Sequence, residues 1–275
     1  MKWNKTWGAL LVCGMSLGFL AAAVGDTISL QDNNSTFTID PTSPAGANSW
    51  TVNGVNQLAQ EWFWFQVNGS PQASIDTLGG LTISDTTAGG NIASVAYSSA
   101  SQGLSANIFY VLTGGATIGQ ASNLSETISL SNISGSPETV SFYAYSNFNL
   151  DNDSGDVVSF PNANTVLQTK DNSYQARTVM NPAPDEFEGD YFNTMLTKLN
   201  GPGPLMLSNT PAIGSAGIGP GNMTSTCEWD MTIGPGDIAI INLDKQLTVV
   251  PEPGTLALLC AGAAVLLGFA WRRRR

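Results

Sequence analysis

The chain has 275 residues, 10 Lys and Arg against 21 Asp and Glu, no His and 3 Cys, for a formal net charge of −11. The absence of histidine excludes Ser-His-Asp and Cys-His catalysis and His-ligated zinc or haem. Between residues 26 and 250 only Lys170, Arg177, Lys198 and Lys245 stand against 20 acids, a net of about −16; this lacks the clustered Lys/Arg that phosphate binding needs and excludes a nucleic-acid partner.

In chain order, the first 25 residues read as a secretory signal peptide. Lys2 and Lys5 supply the positive start, Trp7 to Leu20 the apolar run, and Ala21-Ala22-Ala23 the small residues before a cleavage site. The Sec-type export machinery is the implied first partner. Residues 26–250 then form the exported domain. Only 11% of the chain is charged, and short alternating runs separated by Gly, Asn, Asp and Pro recur throughout. The fold expected is all-β: an antiparallel β-sandwich, jelly-roll-like, with one short helix.

Strands are expected at Thr27–Leu30, Ser35–Asp40, Ser49–Val55, Glu61–Val67, Leu81–Ser84, Ile92–Tyr97, Leu104–Thr113, Leu124–Ser131, Glu138–Asn149, Val157–Phe160, Thr165–Lys170 and Tyr174–Val179. Thr224–Ile233, Ile238–Leu243 and Gln246–Val250 complete the set. In Ser125–Ser131, hydroxyl residues alternate with Ile128 and Leu130, the mark of a half-buried strand. Trp62-Phe63-Trp64-Phe65 is apolar on both faces. It reads as a central strand covered on both sides, with an aromatic platform for sugar rings at Trp62 and Trp64 as the functional alternative. A helix is expected over Pro184–Leu199, because Pro and acids open it, Phe187, Tyr191, Met195 and Leu199 recur every four residues, and Asn200-Gly201-Pro202 closes it. Residues 201–221 read as a long loop.

Two acidic stretches are candidates for metal binding. Asp151-Asn152-Asp153-Ser154-Gly155-Asp156 resembles a calcium loop, with Asp151, Asp153 and Asp156 as the oxygen ligands. It does not run on to a Glu at the twelfth position, and a solvated turn uses the same residue types. Asp185, Glu186, Glu188 and Asp190 are accounted for by the helix start. No cofactor other than calcium is suggested. Cys227 is the one cysteine of the exported domain and reads as a buried small hydrophobe. No motif selects a catalytic pair among the acids, so no enzyme is expected.

The end of the chain is the most specific segment. Pro251-Glu252-Pro253 precedes Thr255–Trp271, 17 uncharged residues that span about 25 Å as a helix, just enough for a bilayer core. Arg272, Arg273, Arg274 and Arg275 follow and would stay in the cytoplasm. Residues 251–275 resemble the PEP-CTERM sorting signal of Gram-negative bacteria. That resemblance implies recognition by an exosortase, an integral membrane cysteine peptidase, and processing near Pro251-Glu252-Pro253. It also implies an association with exopolysaccharide and biofilm. Four blocks between Gln60 and Leu150 resemble an uncharacterised group of PEP-CTERM surface proteins: Gln60–Phe65, Ser74–Leu78, Tyr110–Gly115 and Phe142–Leu150. Where members of that group often carry acids around the last block, this chain has Asn147 and Asn149.

The expected itinerary is export across the inner membrane, transient anchoring through the C-terminal helix, and release or transfer to the cell surface. The expected role is a structural protein of the surface or matrix. A surface-displayed carbohydrate- or calcium-binding module is the alternative, and burial of Trp50, Trp62, Trp64 and Trp229 would favour the structural role.

Overall fold

The computed structural model describes residues 27–84, 89–117, 119–171 and 173–249. The signal peptide expected over 1–25, Pro251-Glu252-Pro253, the helix expected over Thr255–Trp271 and the four terminal arginines lie outside the described residues. Among those described, no helix is long and apolar enough to cross a membrane.

The described strands form two nine-stranded sheets packed as a sandwich. The first runs β1 (Ile28–Asp32), β2 (Ser35–Asp40), β3 (Gly46–Val52), β5 (Leu58–Val67), β11 (Glu138–Phe148), β17 (Met223–Ile233) and β15 (Glu186–Tyr191), with β4 (Val55–Asn56) on β3 and β6 (Ala73–Ser74) on β5. The second runs β16 (Ile218–Gly221), β12 (Asp156–Asn162), β13 (Thr165–Lys170), β14 (Tyr174–Asn181), β18 (Ile238–Val249), β10 (Ser122–Asn132), β9 (Leu104–Thr113), β8 (Ile92–Ser99) and β7 (Thr82–Ser84). Among the described residues, pairing is antiparallel apart from a short parallel contact of Gly46 and Ala47 with Glu61 and an isolated parallel bridge of Glu188 with Thr210. Gly46 sits there at φ 56, and a Cβ on it would overlap the Trp62 ring, so the crossing of β3 over β5 depends on glycine.

The period-two pattern dictates the second sheet. In β10 every second residue from Ser122 to Asn132 is buried, and Ile128 lies opposite Ile108 of β9 and Ile241 of β18. Their inward side chains meet Phe37, Trp50, Phe63, Phe142 and Trp229 of the first sheet in one core. β5 is buried on both faces, as its aromatic run requires: Phe63 stacks on Phe142 at 5.6 Å on the inner side, and the opposite side carries Trp62 and Trp64. A single-turn helix over Ile75–Leu78 and α1 (Phe192–Leu199) stand over that other side.

Two expectations are corrected. The helix does not begin at Pro184. Glu186–Tyr191 is β15, paired along its length with β17, and helix is confined to Phe192–Leu199. Phe187 packs against Phe160 at 4.2 Å, whereas Tyr191, placed by the four-residue spacing on the buried face, is 55% exposed. Pairing with β17 outweighs an i, i+4 coincidence that carries only a few tenths of a kcal/mol per contact. Likewise the two strands expected at Ile238–Leu243 and from Gln246 onward are one strand, Ile238–Val249, because Asp244 and Lys245 continue the alternation, Asp244 outward and Lys245 inward.

Candidate functional site

Trp62 and Trp64 are each 1% exposed, and Trp50 and Trp229 are 0% and 1% exposed. Each of these four indole N–H groups is engaged internally: Trp50 donates to Ser35 and Ser122, Trp62 to Ser74, Trp64 to Asn200 and Trp229 to the Pro182 carbonyl. Trp64 also meets Tyr145 edge-on at 5.9 Å. Buried rings have no face to offer a sugar, so this run serves as core rather than as a platform.

The three aspartates of the loop expected to bind calcium point to different tasks. Asp151 is exposed, at φ 59, and its backbone N–H donates to Gln57 Oε1 at 2.7 Å. Asp153 pairs with Lys170 at 2.7 Å, which together with the Ser154 N–H holds its carboxyl below the usual range. Asp156 is fully buried, and its Oδ2 accepts from Gln168 Nε2 at 3.0 Å. Burial pushes Asp156 up to about 7, against the Gln168 hydrogen bond and Lys170. Among the described residues no group of three or more Cys, Asp or Glu is placed to hold a metal ion. Cys227 is buried, which pushes its thiol up to about 12 and leaves it un-ionised, as expected of a small hydrophobe.

The four cations of the domain divide sharply. Lys170 is taken by Asp153. Lys198 bridges Glu188 at 2.5 Å and Asp190 at 3.3 Å. Lys245 lies between the sheets, where it meets Glu126 Oε2 at 2.6 Å and Glu61, all three at most 2% exposed. Burial pushes the Glu126 carboxyl well up, and Glu61 adds to this, against the pull of the Lys245 ammonium. Burial works to lower Lys245, but the two carboxylates outweigh it and keep the ammonium charged.

Arg177 is the exception. It is exposed on β14, and among the described residues its side chain has no hydrogen bond or ion pair. It opens on a groove of about 290 Å³ across the outer face of the second sheet, with Asp244 and Gln246 from β18, Asn123 and Ser125 from β10, and Val111 of β9 and Val179 of β14 at its two sides. Register brings these together: Arg177 lies opposite Gln246, Val179 opposite Asp244, and Ser125 opposite both Val111 and Asp244. Ser125 donates to Asp244 Oδ1 at 2.9 Å, and Gln246 Nε2 to Asn123 Oδ1 at 3.0 Å. Sequence reasoning did not single out this groove. Its only sequence signal is outward alternation in three strands, together with the domain's single arginine.

Residues 249–275 match the PEP-CTERM protein-sorting motif. The chain carries an exosortase sorting signal. A PEP-CTERM signal implies a protein exported to the cell surface, and the fold of residues 27–249 is also found elsewhere. A candidate aldose 1-epimerase of Escherichia coli K12 superposes with a TM-score of 0.54 at 7% identity, over 82% of this chain and 99% of its own. A protein of Synechocystis sp. PCC 6803 gives 0.57 at 9% identity, over 82% and 96%. A bacterial glucoamylase bound to acarbose gives 0.53 at 10% identity, over 86% of this chain and 36% of the glucoamylase. At such identity these likenesses concern the fold. None of the curated proteins matches the chain in sequence.

Proposed function

We propose that residues 26–250 act as a non-catalytic protein of the cell surface or extracellular matrix, held in exopolysaccharide after exosortase has processed the C-terminal signal. The sorting motif at 249–275 is the observation that carries this reading. It adjoins the fold directly: β18 ends at Val249, and Pro251-Glu252-Pro253 follows at once. In this reading Arg272–Arg275 retain the chain at the cytoplasmic side, residues 255–271 hold it in the membrane for a time, and the two prolines keep the cleavage segment extended for the peptidase. Burial of all four tryptophans supports a structural role over an aromatic sugar platform.

Intact-mass analysis of protein from the cell surface and the culture medium tests the reading. The expected mature form begins near Asp26 and lacks Trp271 and the arginines. Glu252→Ala, or deletion of Arg272–Arg275, leaves the unprocessed chain in the inner membrane. A mature surface form that retains Trp271 and the arginines, in a strain with an active exosortase, overturns it.

A further inference from the structure

We propose that the groove around Arg177 on the outer face of the second sheet binds uncharged saccharide units that carry neighbouring hydroxyl groups. The inference deepens the matrix role proposed above by naming the ligand class and the place where it docks.

The argument starts from charge. In a domain with four cations, three are engaged by carboxylates, two of them by two carboxylates each, and one is left open to solvent in a groove. A guanidinium presents five N–H donors in a planar fork and no acceptor. Beside it, Asp244 is an acceptor only. Its Oδ1 is used by Ser125, and among the described residues its Oδ2 has no partner. Asn123, Gln246 and Ser125 complete the lining with groups that both donate and accept.

A strongly anionic ligand would satisfy Arg177 but meet the Asp244 carboxylate at the next cross-strand position. A cationic ligand would have the reverse conflict. A pair of neighbouring hydroxyls, each able to donate and to accept, suits a donor fork next to a bare acceptor. Val179 on β14, opposite Asp244, and Val111 on β9, opposite Ser125, flank this polar lining on its two sides and offer apolar surface to the C–H face of a sugar ring.

The surroundings extend the same chemistry. Along β10 and β18, Thr127 donates to Asn242 at 3.0 Å, and on β8 and β9, Ser94 donates to Asn107 at 2.8 Å. Hydroxyl and carboxamide groups are therefore held in rows at the spacing of strands, about 4.8 Å. These hydrogen bonds fix the side chains before a ligand arrives, which lowers the ordering cost of binding. The groove holds no aromatic ring. Each unit is therefore bound weakly, and retention comes from a polymer offering many units to many displayed copies.

The test uses the full chain in detergent, run by affinity electrophoresis in gels cast with dextran, mannan or galactan and, for comparison, with polygalacturonate. Retardation by at least one neutral polymer is expected. Arg177→Ala and Asp244→Ala should each weaken it by about tenfold or more, the loss that follows from removing a hydrogen bond to a charged group. Asn193→Ala, on the exposed side of α1, should leave it unchanged. Unaltered melting temperatures show that the variants are folded. No retardation in any neutral gel overturns the proposal. So does retardation confined to polygalacturonate that Arg177→Ala abolishes and Asp244→Ala strengthens, the signature of an anion site. Processing is scored separately by mass, so a chain that binds without being processed defeats the sorting account alone, and a chain that is processed without binding defeats this one alone.

Discussion

Replacing Lys245 with Met would strip the only cation from a pair of carboxylates sealed between two sheets. Glu61 and Glu126 are 2% and 0% exposed, and both depend on the Lys245 ammonium. Removing one partner of a buried ion pair leaves uncompensated charge in a medium that cannot solvate it, at a cost of about 3–5 kcal/mol. For a domain of this size each kcal/mol moves the melting temperature by about 2–4 °C, so a fall of about 6–20 °C is expected at pH 7. The deficit should shrink at pH 5, where Glu126, pushed up by burial, more readily takes up a proton and sheds its charge. Adding Glu61→Gln and Glu126→Gln to Lys245→Met should recover part of it at pH 7, because the buried charge is then gone. Urea unfolding followed by the fluorescence of the buried tryptophans, at pH 5 and pH 7, reads all of these values. A Lys245→Met protein within about 0.5 kcal/mol of wild type at pH 7 would refute the claim that this ammonium holds the carboxylates in place.

Burial also pushes Glu228 up to about 7, as it does Asp156. An acid whose folded pKa lies above its unfolded value contributes stability that is complete below the unfolded pKa and lost as pH rises towards 7, at about 1.4 kcal/mol per pH unit for each group. The domain should therefore be less stable at pH 8 than at pH 5, with Asp156→Asn flattening the slope; higher stability at pH 8 would contradict the burial of these acids. Because Asp151, Asp153 and Asp156 do not converge, the melting temperature should be the same in millimolar calcium and in chelator. A calcium-dependent rise of the size that saturation at 100 times Kd gives, about 2.7 kcal/mol, would restore the loop as a site. Trp64→Ala should cost about 3–5 kcal/mol and reduce secretion of folded protein. A Trp64→Ala protein of normal stability that had lost polysaccharide binding would return the ring to a ligand-facing role.

The sandwich was legible because its strands carry their burial pattern locally. Ser35–Asp40, Leu104–Thr113 and Thr165–Lys170 have the limits that alternation and turn residues assign them. Trp62 to Phe65 announced a strand buried on both faces. β15 was hidden because its helical spacing is local while its pairing with β17 joins residues 32 to 42 positions apart. The groove at Arg177 was hidden for the same reason. Asn123, Arg177 and Asp244 are neighbours only once β10, β18 and β14 have found their registers. The aspartates of 151–156 misled because turn chemistry and calcium chemistry use the same side chains, and only three-dimensional convergence separates them.

The strand that adjoins the sorting signal is an interior strand, with β14 along one side and β10 along the other. Tension applied at the C-terminal end of β18 therefore runs parallel to a twelve-residue strand and must shear two ladders at once, rather than peel them open one bond at a time. The groove that is proposed to hold polysaccharide takes Asp244 and Gln246 from that same strand. If the chain is held by its C-terminal end, a drag force on such a polymer would reach that end along a single strand braced on both sides, and the rest of the sandwich would carry little of the load.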